Sequence, residues 1–312
     1  MQEPKYFFCR GLVSFALLPL SWIWTAADLA RRRMARPHRP KARVICVGNA
    51  VLGGAGKTPI AIEIARTLLS LGKKVAVIMR GYRGRLNGPL IVRAEHAAAD
   101  VGDEAKMISE ILPGAIVAIG ANRGDVARLV ENRVDAIVMD DGLQNYTIAK
   151  DFSICVFDAK AGIGNGRVFP AGPLRQPLAA ALRASDALVV MNGRLPRLPD
   201  AIEAQTEPDF DFAPYRGKKT VAFAGIGKPG KFFDMLAKNG VRLVKTKAFP
   251  DHHAYSERDI AGLFKDGLPV LTTQKDFVKL PPAARAKAVP VPIRVRGLDA
   301  LLRKISALLK NI

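Results

Sequence analysis

The stretch VGNAVLGGAGKTPI, residues 47–60, decides how the rest of the chain is read. It opens at the end of an apolar run (Val44, Ile45, Cys46, Val47) with the length and composition of a buried parallel strand. The run breaks into a glycine-bearing turn, and a helix opens at Lys57 and Thr58. Small residues let backbone N–H groups close around an anion while a helix N-terminus faces it, so this is the layout of a phosphate-binding loop. Gly53, Gly54, Ala55, Gly56 and Pro59 make up the cradle, Lys57 would reach the β- and γ-phosphates, and the Thr58 hydroxyl would ligate Mg²⁺. The strict G-x-x-x-x-G-K-[ST] pattern fails at its first position, where Val51 replaces glycine, and a chance Gly-Lys-Thr turn is the competing reading. A second apolar run, residues 136–139, ends in Asp140-Asp141-Gly142. Acidic groups at the carboxyl end of a neighbouring strand are where a nucleoside triphosphatase holds its Mg²⁺. A solvated Asp-Gly turn would explain one aspartate but not the loop upstream.

Short apolar runs at 75–79, 90–92, 116–119, 136–139, 153–157 and 187–191 alternate with helical stretches at 60–71, 104–112 and 125–132. Such alternation predicts an α/β fold: a mainly parallel, P-loop NTPase-like sheet with helices on both faces and ligands at the carboxyl ends of its strands. The rhythm breaks near residues 196–216, where a lobe boundary is placed. A smaller C-terminal α/β lobe follows, with strands at 220–224, 242–246 and 268–272 and a helix at 231–238. Apolar residues at 298, 301, 302, 305, 308 and 309 share one helical face and read as core packing. The expected divisions are 1–42, 43–205 and 206–312.

Residues 11–27, GLVSFALLPLSWIWTAA, contain no charge and sit at the short limit for a membrane-spanning helix. Trp22 and Trp24 suit a membrane interface, and seven lysines and arginines lie between Arg31 and Arg43 without an acid. The expectation is an N-terminal membrane helix or an interfacial one, anchored at the cytoplasmic face of an anionic inner membrane. A cleaved signal peptide is the alternative, but it would export a phosphate-loop protein away from ATP. The formal charge of +20 over 312 residues calls for an anionic partner. Nucleic acid is not expected, because the basic residues concentrate beside the anchor and no aromatic-interleaved stripe accompanies them. Cys46 and Cys155 lie in apolar runs and read as small core residues.

Seven ordered motifs carry a family resemblance: GGAGKTP (53–59), RGY (80–82), VGDE (101–104), DDGLQ (140–144), FPAGPLR (169–175), DHHAY (251–255) and T-x-K-D-x-V-K-L (273–280). On these the chain resembles the tetraacyldisaccharide 4′-kinases of lipid A synthesis. The resemblance implies a bilobal kinase that moves the γ-phosphate of ATP, with Mg²⁺, to the 4′-hydroxyl of an acylated glucosamine disaccharide 1-phosphate, giving lipid IVA. Ala55, Gln176, Gln274 and Asn145 depart from the residues usual in that family, which bears on rate more than on reaction class.

The resemblance also points to Asp103 as acceptor of the hydroxyl proton, assisted by His252. A carboxylate paired with an imidazole suits such work, although Asp103 at a helix start could simply cap it. Thr58 with Asp140 or Asp141 would hold Mg²⁺, and Glu104 is a further candidate ligand. Arg80, Arg123 and Arg175 are candidates for phosphate contacts, with surface solvation the alternative for Arg123. Gln144 rests on its motif. The rival function is a membrane-associated phosphate-loop ATPase or GTPase acting as switch or chaperone. A guanine-specific switch would carry Asn-Lys-x-Asp, and here Thr273-Gln274-Lys275-Asp276 has no asparagine.

Overall fold

The computed structural model describes residues 4–309. The chain lays down β1 (Arg43–Gly48), β2 (Val75–Met79), β3 (Leu90–Ile91), β4 (Ile116–Ile119), β5 (Ala136–Asp140), β6 (Phe152–Asp158), β7 (Ala187–Met191) and β8 (Ile202–Pro208). It then builds β9 (Lys219–Ala224), β10 (Arg242–Ala248), β11 (Val270–Thr273) and β12 (Ala288–Val291), and returns as β13 (Ile293–Arg296). The large sheet has the order β13-β8-β7-β6-β1-β5-β2-β4-β3, and the small one β10-β9-β11-β12. Large-sheet pairs are parallel except at its two edges, where β3 meets β4 and β13 meets β8 antiparallel. The small sheet is parallel throughout.

The central strands are buried on both faces. Ile45 and Val47 face a core shared with helix α3 (Lys57–Ser70), the helix Asp103–Ile111 and the helix Asp299–Leu308, while Val44 and Cys46 face the helix Arg123–Val130. This two-sided burial is why these strands read as continuous apolar runs. In α3, Ile60, Ala61, Ile64, Ala65 and Leu68 form one buried stripe. The helix ends before Gly72, whose φ of 76° provides the left-handed residue such ends favour. The chain steps to one side of β1 with β2 and β4 and to the other with β6, β7 and β8. The crevice at the carboxyl end of β1 is therefore a topological switch point, where open α/β sheets take their ligands.

The C-terminal segment belongs with the large sheet rather than with the smaller unit expected for 206–312. β13 pairs with β8, and Leu298, Leu301, Ile305 and Leu309 are buried in the core that contains α3. The reason is combinatorial: a leucine face needs a partner face, and only the fold shows which. β8 lies inside the stretch read as a boundary because only Ala204 of its seven residues is buried.

The expected membrane-crossing helix is not formed. The uncharged run divides at Leu17 into α1 (Leu12–Ala16) and α2 (Leu18–Met34), and among the described residues no helix is long and apolar enough to cross a membrane. The buried residues of these two helices are the polar ones, Ser14, Ser21 and Asp28. Ser14 donates to Ala171 O at 2.7 Å, Ser21 to Val168 O at 2.8 Å, and Asp28 accepts from the Tyr146 hydroxyl at 2.9 Å. The outer face carries Leu12, Val13, Phe15, Leu20, Trp22 and Ile23, each more than half exposed. The usual polarity of a surface helix is inverted.

Candidate functional site

The loop between β1 and α3 leaves its backbone donors free. Among the described residues, the N–H groups of residues 53–58 meet no protein acceptor, and α3 points its N-terminus into the same space. Gly53 and Gly56 have φ of 99° and 87°, which side-chain-bearing residues adopt at a cost. Val51 needs no such freedom: it bridges Leu174 and is buried with Leu143. That packing explains the departure from glycine at the first motif position. Asn49 is fully buried inside the loop and donates to Val51 O at 2.5 Å and Gly53 O at 3.3 Å. The Gln144 amide donates to Asn49 O at 2.9 Å, so the DDGLQ segment braces the loop from below. Asn49 and Gly48 lie inside the opening stretch yet match no motif position. A Cβ at Gly48 would meet the Leu143 backbone nitrogen at 2.7 Å.

Beside the loop, the Thr58 hydroxyl donates to Asp140 Oδ2 at 2.8 Å, and Asp140 Oδ1 is buried without a partner among the described residues. Burial, and next the charge of Glu104, push the Asp140 carboxyl up to about 7. Asp141 turns the other way, at φ 52°. Lys57 Nζ lies 3.6 Å from its Oδ1, and Arg175 Nη1 donates to the same oxygen at 2.9 Å. Although burial works against it, these two cations hold the Asp141 carboxyl below the usual carboxylate range. The two adjacent aspartates are thus driven apart in proton affinity. Arg123 is buried rather than solvated, donates to Gly120 O and Ala121 O at 3.0 and 3.2 Å, and has its Nε unpartnered. Burial first, then the neighbouring Arg80, lower its affinity for a proton. Arg80 itself is exposed.

The small lobe supplies the other half of the site. His252 Nδ1 lies 3.0 Å from Asp103 Oδ2, across a sequence gap of 149 residues. Asp103 stands at the start of its helix, but its carboxylate reaches toward the second lobe; no cap bond from its Oδ atoms to that helix is present among the described residues. The His252 backbone has φ 61°, and its ring packs edge-on against Tyr82 at 5.6 Å. A non-glycine residue in this conformation stores strain, and Asp141 and His252 both do so here. His253 faces away from that pair, with Nε2 3.0 Å from Asp259 and its ring stacked on Phe249. The structure thus brings Thr58 to Asp140, Lys57 and Arg175 to Asp141, and Asp103 to His252, with Glu104 near enough to raise Asp140.

Comparison with known proteins gives matches over nearly the whole chain. A family model described as tetraacyldisaccharide-1-P 4′-kinase matches residues 13–310. A tetraacyldisaccharide 4′-kinase of Methylobacterium sp. (strain 4-46) is 45% identical over 314 residues, covering 95% of this chain and 93% of its own. One of Caulobacter vibrioides (strain NA1000 / CB15N) is 42% identical over 327 residues, covering 95% and 92%. Among solved structures, LpxK from Aquifex aeolicus in complex with ATP superposes with a TM-score of 0.80 at 25% identity, covering 96% of this chain and 100% of that one.

Proposed function

This chain belongs to the tetraacyldisaccharide-1-P 4′-kinase family, whose members are ATP-dependent kinases of lipid A synthesis, and from that premise we propose how its residues divide the work. The rival reading, a membrane switch or chaperone, is not favoured by a family match over nearly the whole chain. The free N–H groups of residues 53–58 seat the triphosphate, and Lys57 leaves Asp141 for the β/γ oxygens. Arg175 holds Asp141 and with Arg123 and Arg80 supplies positive charge toward the phosphates, while Gln144 keeps the loop in shape through Asn49.

The donor set at Thr58 and Asp140, one hydroxyl and one buried carboxylate with a free oxygen, fits Mg²⁺, which keeps several waters and takes substrate phosphates as further ligands. Glu104 stands behind them and Asp141 beside them. When bound, the ion would neutralise charge on the transferring oxygens. The chain's own residues handle the acceptor. Asp103, oriented by His252, takes the proton as the sugar 4′-oxygen bonds to the γ-phosphorus and the bond to the β,γ-bridging oxygen breaks, releasing ADP.

The acceptor is an acylated glucosamine disaccharide 1-phosphate, and it arrives from a membrane. The outward apolar face of α1 and α2, followed by the arginines at the end of α2, supports association with the anionic cytoplasmic surface of the inner membrane without crossing it. Residues 43–205, joined by β13 and the final helix, form the nucleotide lobe, and the four-stranded sheet forms the lobe that delivers His252.

The observation that carries this reading is the meeting of Asp103 with His252 from the far lobe, beside a phosphate loop whose donors are free. The test is incubation with radiolabelled ATP, Mg²⁺ and the disaccharide monophosphate lipid, followed by thin-layer separation. Label should appear in a bisphosphorylated lipid; an unlabelled lipid from folded protein would overturn the reading.

A further inference from the structure

The small lobe brings Lys275 to the site, a cation to which the scheme above gives no role. Lys275 Nζ lies 3.3 Å from His252 Nε2, 3.0 Å from Asp251 Oδ1 and 3.8 Å from Glu104 Oε1. Its side chain is 16% exposed, in the seam between the lobes. On the far side of the same imidazole, Nδ1 meets Asp103 Oδ2 at 3.0 Å. A lysine ammonium has three donors and no acceptor, and an ionised carboxylate has acceptors only. Asp251 Oδ2 also stands 3.8 Å from Nε2, beyond hydrogen-bond reach, so the nearer Lys275 takes the Nε2 lone pair and the ring hydrogen sits on Nδ1, donating to Asp103. The opposite tautomer would set N–H against N–H on one side and lone pair against carboxylate on the other.

We propose that Lys275 is a positioning residue: by donating to Nε2 it selects the Nδ1–H tautomer of His252, and through that bond it aims Asp103 at the acceptor hydroxyl. The rest of the surroundings agree. Asp103 Oδ2 is taken by His252 and stands 3.9 Å from Lys279, itself 2.8 Å from the fully buried Asp276. Among the described residues Asp103 Oδ1 has no protein partner, so it is the oxygen left to receive a proton. Lys275 is fixed in turn by a one-turn helix, Gln274–Phe277, whose first turn is capped by the Thr273 hydroxyl accepting from Asp276 N at 3.1 Å. The inference rests on the reading of Asp103 as proton acceptor, but the tautomer itself can be observed without any turnover.

The experiment is a long-range ¹H–¹⁵N correlation spectrum of the full chain labelled at histidine, in micelles near neutral pH, with His252 assigned by the signal lost in His252→Gln. Wild type should show an N–H at Nδ1 and a bare Nε2. Lys275→Met should move the signals toward the other tautomer and lower kcat about 10–100-fold, as expected for losing an orienting partner, with KM for ATP within about twofold. Lys275→Arg, which keeps a donor, should restore the tautomer and most of kcat. An N–H at Nε2 in wild type overturns the proposal, as does a Lys275→Met enzyme of unchanged kcat. If Lys275→Met does not fold, the wild-type spectrum and Lys275→Arg decide. A correct tautomer in a protein that leaves the lipid unlabelled would count against the proposed function alone.

Discussion

At Lys57 the ammonium makes one ion pair among the described residues, 3.6 Å from Asp141. Removing it takes away a phosphate contact together with the packing of a stem that is only 11% exposed. Lys57→Ala should therefore abolish transfer to lipid, while Lys57→Met, which keeps the buried stem, should do the same with a thermal unfolding midpoint near wild type; retained transfer would strip the loop of its assigned role. Asp103→Ala removes the proton acceptor: kcat should fall about 10²–10⁴-fold with ATP KM little changed, the size usual for an acid–base group. A wild-type kcat would leave Asp103 as a helix-start residue only. Lys57, Thr58 and Asp140 were legible because their chemistry is local: a glycine turn before a helix, an acid after a strand. Lys275 was not, although it stands in a quoted motif, because its role depends on a histidine and an aspartate that only the docked lobes bring to it. Arg123 was a candidate, but its burial was not legible, since burial of an arginine leaves no trace in a sequence pattern.

The elements followed the sequence where burial is two-sided and failed to follow it at the edge formed by β8 and β13. The strands around β1 are apolar throughout because helices cover both faces, and this makes them visible as runs. β8 and β13 sit at one edge, alternate with polar residues, and merge with the loops that flank them. The last helix is a case of correct type and undetermined partner. Leu301 on that helix is fully buried against the core that holds α3. Leu301→Ala should cost about 2–5 kcal/mol in urea unfolding, the range for a buried leucine whose cavity only partly collapses. Because α3 begins at the phosphate loop, the same change should also weaken ATP binding; a loss of stability with unaltered ATP affinity would mean the helix supports the sheet but not the loop.

On the proposed reading the whole molecule divides its contacts between a water-side ligand and a membrane-side one, and the basic run at 31–43 belongs with the second. Basic residues near an anionic surface contribute about 1 kcal/mol each, screened by salt. Trp22 and Ile23 are 67% and 66% exposed, so replacing both with aspartate should leave folding intact and sharply lower partitioning onto phosphatidylglycerol vesicles. Unchanged partitioning would remove this face from membrane contact. A charge-free run flanked by arginines was enough to expect an anchor; the break at Leu17 and the docking through Ser14, Ser21 and Asp28 were hidden until residues 165–175 and Tyr146 came to meet them. The inverted polarity of α1 and α2 has a kinetic consequence. An enzyme held at the surface by the apolar face of these helices, as proposed, would meet its acceptor by diffusion in two dimensions, so the relevant dose would be the mole fraction of acceptor in the sheet of lipid. Diluting that sheet with neutral amphiphile, at fixed amounts of enzyme, ATP and acceptor per millilitre, should slow turnover in proportion, and a rate blind to such dilution would mean the sugar is fetched from water.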